Sequence, residues 1–308
     1  MPESAKPRVA VVGLGSMGYG MATSLRRAGL DVTGCDVSAE SVERFVADGG
    51  KGASTPAEAA KSADVVVSVV VNAAQTEAIL FGPNGVAETL GKGAVFVSSA
   101  TMDPDVARRL AKQLEATGRH YLDAPISGGA QRAAQGELTI LASGSPAAFA
   151  KARPALDAMA AKLYELGDDA GQGAAFKMIN QLLAGVHIAA ASEAIAFAAK
   201  QGLDIRKVYE VITASAGNSW MFENRMPHVL DGDYAAQRGG DLCERPRHHP
   251  GHGALGKIPG PGCGCRAADV SDDGRVRHGP RRRRLGGADV RQGHRHASAR
   301  RTEIAATA

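Results

Sequence analysis

Three polar residues, Lys177, Asn180 and Gln181, have the types and the spacing to do chemistry together. They lie in an alanine-rich run, residues 174–201, which predicts a long helix interrupted only by Gly185. Positions three and four apart share one side of a helix, so this side carries one ammonium group beside two carboxamides. Such a group could hold a small oxygenated molecule and exchange a proton with it. A solvated lysine near a helix start is the alternative interpretation.

A glycine motif of the form G-x-G-x-x-G follows a predicted strand, Arg8–Val12, and precedes a predicted helix. In this context the first glycine permits a tight turn, the second lets backbone approach a pyrophosphate, and the third lets the helix pack closely on the strand. The phosphates would bind at the N-terminus of the helix. The predicted cofactor-binding residues of the turn are Gly13, Leu14, Gly15, Ser16, Met17 and Gly18.

Asp36 ends the next predicted strand, roughly 20 residues after the glycine motif. A carboxylate here accepts hydrogen bonds from the adenosine ribose and repels a 2′-phosphate, and no arginine follows it, so the sequence predicts NAD rather than NADP. A helix cap for a segment starting near Ala39 is the alternative. Val71, Asn72 and Thr101 follow two later strands and are predicted to touch the cofactor, although Thr101 could equally cap a turn.

A second glycine-rich segment, DAPISGG, also follows a predicted strand. Ser127, Gly128 and Gly129 offer a hydroxyl and successive backbone N–H groups on a chain thin enough to wrap a carboxylate. These residues are therefore the predicted substrate-binding loop. A glycine-rich loop without a ligand is the alternative.

Strands and helices alternate from residue 8 to residue 142, and this rhythm is typical of an α/β fold with a Rossmann-type, doubly wound parallel sheet. Helical segments then follow. The predicted organisation is an NAD-binding domain at residues 1–167, the first part of an all-helical domain at 168–236 that opens with the long interdomain helix, and an aberrant tail at 237–308.

Composition supports a soluble globular chain, since 44% of the 308 residues are hydrophobic. The N-terminus shows neither a signal peptide nor a membrane span, which predicts a cytoplasmic protein without a membrane partner. The four cysteines match neither a disulfide framework nor a standard zinc site, so no metal is expected.

Three segments carry a resemblance to a known family: GLGSMGYGMATSLRRAG, DAPISGG with QGELTILASG, and GQGAAFKMINQLLAG. They resemble, in family order, the dinucleotide, substrate and catalytic signatures of the β-hydroxyacid (3-hydroxyisobutyrate) dehydrogenases. The segments QLLAGVHIAAASEA and SWMFENRMP are most similar to the L-threonate dehydrogenase branch. Two positions depart from the pattern, because Gln181 and Ser24 stand where many members have asparagine.

The resemblance implies NAD-dependent oxidation of a hydroxyl group β or α to a carboxylate, without a metal. It makes Lys177 the catalytic acid and base, Ser127 to Gly129 the carboxylate-binding loop, and Asn180 a substrate-orienting amide beside Gln181. L-threonate, oxidised to 2-oxo-tetronate, is the expected substrate. The alternatives are 3-hydroxyisobutyrate dehydrogenase, 2-hydroxy-3-oxopropionate (tartronate semialdehyde) reductase, and an NAD-binding protein that is inactive because its later helices are lost.

The tail has a different composition from the rest of the chain. Residues 237–308 contain no Phe, Trp, Tyr or Met, only 8 Leu, Ile or Val, and 15 Lys and Arg against 7 Asp and Glu, whereas residues 1–236 contain 21 against 25. Such a segment cannot bury enough apolar surface to offset chain ordering, so disorder is predicted. Family members instead continue in helices that begin with a K-D-L motif. They commonly pair through this helical domain, so a family-like homo-oligomer is doubtful for a chain with this tail.

A shifted reading frame explains the tail. When the codons of residues 244–270 are read one base later, suitable wobble choices turn ERPRHHPGHGALGKIPGP into RDLGIIQDMARSEKFPV, an amphipathic helical sequence. The hypothesis is a frameshift near residues 235–237. The rival interpretations are an arginine-rich nucleic-acid arm around residues 281–284 and a metal cluster of nonstandard spacing formed by His248, His249, His252, Cys263 and Cys265. No nucleic-acid partner is expected.

Overall fold

The computed structural model describes residues 6–232. The predictions for residues 237–308 therefore lie outside the described residues.

A six-stranded parallel sheet forms the centre of the first part of the chain. Its strands are β1 (Arg8–Val12), β2 (Asp31–Cys35), β3 (Lys51–Ala53), β4 (Val65–Ser68), β5 (Val95–Ser98) and β6 (His120–Asp123), in the order β3-β2-β1-β4-β5-β6. This is the doubly wound dinucleotide-binding order, with its crevice where the order reverses between β1 and β4. The predicted fold class is confirmed.

Helices cover both faces of the sheet. They are α1 (Ser16–Arg27), α2 (Ala39–Ala47), α3 (Pro56–Ala60), α4 (Ala73–Phe81), α5 (Pro104–Glu115), α6 (Gly129–Gln135) and α7 (Pro146–Met159). Strand β1 shows why two cores result: Val9 and Val11 pack into the cluster under α1 and α7, and Ala10 and Val12 into the cluster under α3 and α5. Successive side chains point to opposite faces of a strand, so a continuous apolar run supplies both layers.

A second, three-stranded sheet follows β6. It contains β7 (Ile126–Ser127), β8 (Leu138–Ala142) and β9 (Ala160–Glu165), with β7 antiparallel and β9 parallel to β8. The sequence rhythm placed β8 in the main sheet, and this detail was wrong. After β6 the chain forms β7, and β8 returns after α6 to pair antiparallel with β7, so β8 belongs to the second sheet and does not continue the parallel one.

Three helices complete the described chain: α8 (Gln172–Lys200), α9 (Ile205–Thr213) and α10 (Trp220–Asp231). Their core is small, with Ile195 of α8 packing near Phe222 and Met226 of α10. Of the described helices, α8 alone has the length and the apolar composition to cross a membrane, a test that a core helix of a soluble protein also passes. Much of its apolar surface is exposed.

Candidate functional site

The glycine turn between β1 and α1 has the shape that a pyrophosphate requires. Gly13 has φ +99°, and a Cβ on Gly18 would overlap the carbonyl oxygen of Gly13, so both positions need glycine. A Cβ on Gly15 would meet nothing within 4 Å, which leaves its backbone open to a ligand. Gly15 caps α1 without a side chain, so Ser16 and Met17 begin the helix with their N–H groups directed toward this space.

Asp36 lies at the carboxyl end of β2, beside the glycine turn. Its Oδ2 accepts a hydrogen bond from the N–H of Leu14 at 2.5 Å, and its Oδ1 accepts one from the N–H of Ser38 at 2.8 Å. The cap of α2 is Ser38, whose side chain accepts from the N–H of Ser41. The alternative role of Asp36 as the helix cap is therefore wrong, and the carboxylate links the turn to β2 instead.

An open groove lies next to Asp36 and carries only negative side-chain charge. It is lined by Asp36, Val37, Ala39, Val42, Glu43, Gly52, Ala53, Ser54 and Glu58. Ser54 donates hydrogen bonds to Glu58 through its N–H and its hydroxyl, and these bonds lower the pKa of that carboxyl. Among the described residues that line this groove, three are carboxylates and none is a cation.

The turns after β4 and β5 hold the other predicted cofactor contacts. The Asn72 side chain accepts from the N–H of Gln75 and caps α4, while the N–H of Val71 donates to the Gln75 side chain. Val71 itself is exposed. Thr101 is exposed after β5, and Asp103 rather than Thr101 caps α5. All three predicted residues thus lie at the carboxyl edge of the sheet, with the Thr101 hydroxyl not needed as the helix cap.

The predicted substrate loop turns from β7 directly into α6. Ser127 is half-buried at the end of β7, and Gly128 and Gly129 have φ +142° and +80°. Helix α6 is held at its far end by Ser24 of α1, which donates to the carbonyls of Ala133 at 2.8 Å and Ala134 at 3.1 Å. The serine that departs from the family pattern therefore ties α1 to the helix that follows the predicted substrate loop.

Lys177 lies one turn into α8 and is only 7% exposed. Its Nζ donates a hydrogen bond to the carbonyl oxygen of Ile126 at 2.7 Å, next to Ser127. Burial lowers the pKa of the amine to about 8, because removing water disfavours the charged form. The lysine is thus not a solvated surface residue; it lies against the predicted substrate loop with a pKa near the operating range of a general base.

Asn180 and Gln181 follow on the next turn of α8, where the helix becomes more open. Asn180 is exposed and Gln181 half-buried, and the Asn180 amide donates to the Gln181 carbonyl at 3.2 Å. The structure brings Lys177 and Ser127 together and leaves the two amides nearer to solvent.

Two residues that position the site were missed by sequence reasoning. Asp123 and Ser143 accept hydrogen bonds from backbone N–H groups in the first turn of α8. Asp123 stands in the segment DAPISGG, but nothing in its local sequence shows that its partners lie 48 and 51 residues further on.

Comparisons with known proteins agree with this geometry. Residues 8–167 match the family described as the NAD binding domain of 6-phosphogluconate dehydrogenase, and residues 171–241 match the family described as NAD-binding of NADP-dependent 3-hydroxyisobutyrate dehydrogenase. The fold and the site thus define an NAD-dependent dehydrogenase.

Individual relatives define the family more closely. L-threonate dehydrogenase of Cupriavidus necator is 52% identical over 73% of this chain and 76% of its own length. The Haemophilus influenzae enzyme of the same name is 49% identical over 75% of this chain and 77% of its own. A crystal structure of 3-hydroxyisobutyrate dehydrogenase from Salmonella typhimurium superposes with a TM-score of 0.71, at 48% identity, over 75% of this chain and 80% of that one. The chain belongs to the β-hydroxyacid dehydrogenase family, in its L-threonate branch.

Proposed function

We propose that the chain oxidises L-threonate to its 2-oxo acid with NAD, and that Lys177 is the general base. The observation that carries the proposal is the burial of Lys177 beside the Ser127 loop, which lowers the amine pKa to about 8. The names of the relatives supply the substrate. The proposed domains are 1–167 for the cofactor and 168–236 for the helical part.

In this mechanism the chain's own residues bind, orient and deprotonate the substrate. Ser127 and the N–H groups of Gly128 and Gly129 hold the carboxylate, and Asn180 and Gln181 contact the remaining hydroxyl groups. Neutral Lys177 takes the proton of the reacting hydroxyl, and in the reverse direction the ammonium returns it. The glycine turn and Asp36 would hold NAD, which would supply the acceptor for the hydride of the carbinol carbon.

Selectivity for NAD follows from the groove beside Asp36. A 2′-phosphate there would meet the carboxylates of Asp36, Glu43 and Glu58 without a cation to offset its charge. A ribose with a free 2′-hydroxyl can instead donate a hydrogen bond to Asp36. The other proposed contacts, at Val71, Asn72 and Thr101, lie at the same edge of the sheet as the glycine turn.

A substrate panel tests the function. NADH formation at 340 nm is expected to be fastest with L-threonate among a set that includes 3-hydroxyisobutyrate, with 2-hydroxy-3-oxopropionate tested in the reverse direction.

Lys177→Ala should lose about a hundredfold or more in kcat, in line with general acid–base contributions, while Lys200→Ala, at the exposed end of the same helix, should leave kcat unchanged. Near-normal turnover by Lys177→Ala would refute the role.

The alternatives are distinguished by the same panel. Faster reaction with 3-hydroxyisobutyrate or 2-hydroxy-3-oxopropionate would assign the chain to one of those activities. NAD binding without turnover on any member would favour the inactive protein, since the relatives extend beyond the matched region by about a quarter of their length.

We also infer that the sequence beyond about residue 235 is read in a shifted frame. If Glu244, Arg245 and Pro246 are encoded GAA-AGA-CCT, reading one base later gives AAA-GAC-CTN, which is Lys-Asp-Leu because every CTN codon encodes leucine. With GAG at Glu244 the same reading gives Arg-Asp-Leu. Lys-Asp-Leu is the motif with which family members continue. Sequencing the gene across codons 230–250 and identifying tail peptides by mass spectrometry test the inference. Peptides of this tail would place the shift in the gene, and peptides of the shifted reading would place it in the determination of the sequence. A gene whose shifted frame does not encode the Lys-Asp-Leu or Arg-Asp-Leu continuation would contradict the inference.

A further inference from the structure

The first turn of α8 is anchored by side chains from other elements rather than by its own cap. Gly171 precedes the helix and has no side chain to accept a hydrogen bond. The Asp123 carboxylate, at the end of β6, accepts instead from the N–H groups of Gly171 at 3.0 Å and Ala174 at 2.7 Å. Ser143 accepts from the N–H of Gly173 at 3.0 Å. Three of the donors that a helix start leaves unpaired are thereby satisfied.

This anchor is buried and closely packed. Asp123 is fully buried, and a Cβ on Gly173 would overlap the carbonyl oxygen of Leu141 and lie 2.7 Å from that of Asp123. Burial raises the pKa of Asp123 to about 6, and the N–H groups of Ala174 and Gly171 oppose that shift by stabilising the carboxylate. Hydrogen bonds to a charged acceptor in such a setting are among the stronger ones, and the helix N-terminus adds a favourable dipole.

Beyond this first turn, few of the described residues hold the helix near Lys177. After Lys177 the next buried residue of α8 is Ala191, almost four turns further on. The neighbours Phe176, Met178 and Ile179 are about half exposed. The position of the Lys177 amine therefore depends mainly on the first turn and on the carbonyl of Ile126.

The anchor and that carbonyl belong to one short segment. Asp123 holds the helix start, Ile126 accepts the hydrogen bond from Lys177, and Ser127 begins the substrate loop, with Pro125 stiffening the connection. We propose that Asp123 is a positioning residue, which fixes the Lys177 amine against the Ser127 loop by holding the first turn of α8. The proposal rests on the proposed function of Lys177.

Asp123→Ala tests the proposal through two readouts that need no turnover. Hydrogen exchange in peptides covering residues 171–178 should become about tenfold faster or more, because the N–H groups of Gly171 and Ala174 lose their acceptor. The pH dependence of Lys177 acylation, followed by mass spectrometry, should move from a midpoint near 8 toward that of a solvated lysine, about 10.4. Asp123→Asn keeps an acceptor in place and should restore both readouts to within about threefold of the parent.

Asp204→Ala is the matched control. Asp204 caps α9 by accepting from the N–H of Arg206 at 2.9 Å, so its removal should loosen α9 and leave Lys177 acylation unchanged. If Asp123→Ala is insoluble, Ser143→Ala, which removes the acceptor of the Gly173 N–H in the same turn, carries the test, with faster exchange expected only in residues 171–178. Unchanged Lys177 titration in a soluble variant with a loosened first turn overturns the proposal, as does unchanged exchange. Failure of the substrate panel with these shifts present would contradict the proposed function alone.

Discussion

At the scale of single residues, burial rather than residue type gives Lys177 its chemistry. Lys200 is on the same helix and exposed, whereas Lys177 is 7% exposed and has its pKa lowered to about 8. The sequence predicted Lys177, the glycine turn and Asp36, because each belongs to a local pattern. Asp123 and the Ile126 carbonyl could not be predicted, since their roles depend on partners about 50 residues away in the chain.

The pH dependence of turnover should reflect the lowered pKa of Lys177. Below a pH of about 8 the amine is protonated and cannot accept the hydroxyl proton, so oxidation should slow about tenfold per pH unit. Reduction needs the ammonium and should fall above the same pH. Initial rates measured in both directions from about pH 6 to about pH 10 test this expectation. An oxidation rate that does not change across that range would contradict it.

Asp36→Ala should weaken the preference for NAD. The variant loses the ribose acceptor and one of three carboxylates that repel a 2′-phosphate, so the ratio of kcat/KM for NAD to that for NADP should fall by about tenfold or more. Glu40→Ala, an exposed carboxylate in the first turn of α2, is the control and should keep the ratio. An unchanged ratio in Asp36→Ala would contradict the proposed role of Asp36 in selecting NAD over NADP.

At the scale of elements, α1 connects the cofactor turn to the substrate loop. Its N-terminus lies at the glycine turn, and its middle packs so closely on α6 that a Cβ on Gly20 would lie 2.6 Å from the backbone nitrogen of Ala134. The glycine motif predicted α1, and short apolar runs predicted the central strands. The short elements β3, α3, β7 and α6 were missed, because two to seven residues carry too little periodicity to be distinguished from a loop.

Gly20→Ala tests the close packing of α1 on α6. The added methyl group must push two backbones apart, at a cost of about 1–3 kcal/mol in the free energy of unfolding, which exceeds the gain in helix propensity of about 1 kcal/mol. Gly185→Ala is the matched control, since its Cβ would meet nothing within 4 Å and the variant should gain stability. Urea denaturation measures both. Equal stabilisation by the two substitutions would show that α1 and α6 can separate freely.

At the scale of the whole molecule, α8 leaves much of its apolar surface exposed among the described residues. It extends for 29 residues, or about 43 Å, yet Phe176, Ile179, Leu182 and Phe197 are at least half exposed. Contiguous apolar surface of this kind marks an interaction site in a soluble protein. The inferred frameshift supplies a segment that could cover this surface of α8. The shifted reading of the tail is an amphipathic helical sequence, whereas the tail in the present frame is not.

Repair of the reading frame by one base near codon 236 should therefore change how α8 responds to substitution. In the chain with its present tail, Leu182 is 67% exposed, so Leu182→Gln should alter the free energy of unfolding by no more than about 0.5 kcal/mol. In the repaired chain the same substitution should cost about 2 kcal/mol or more, because it places an amide among buried apolar groups. Lys200→Gln, at the exposed end of α8, should be neutral in both chains. A small effect of Leu182→Gln in both would mean that the repaired segment does not cover α8.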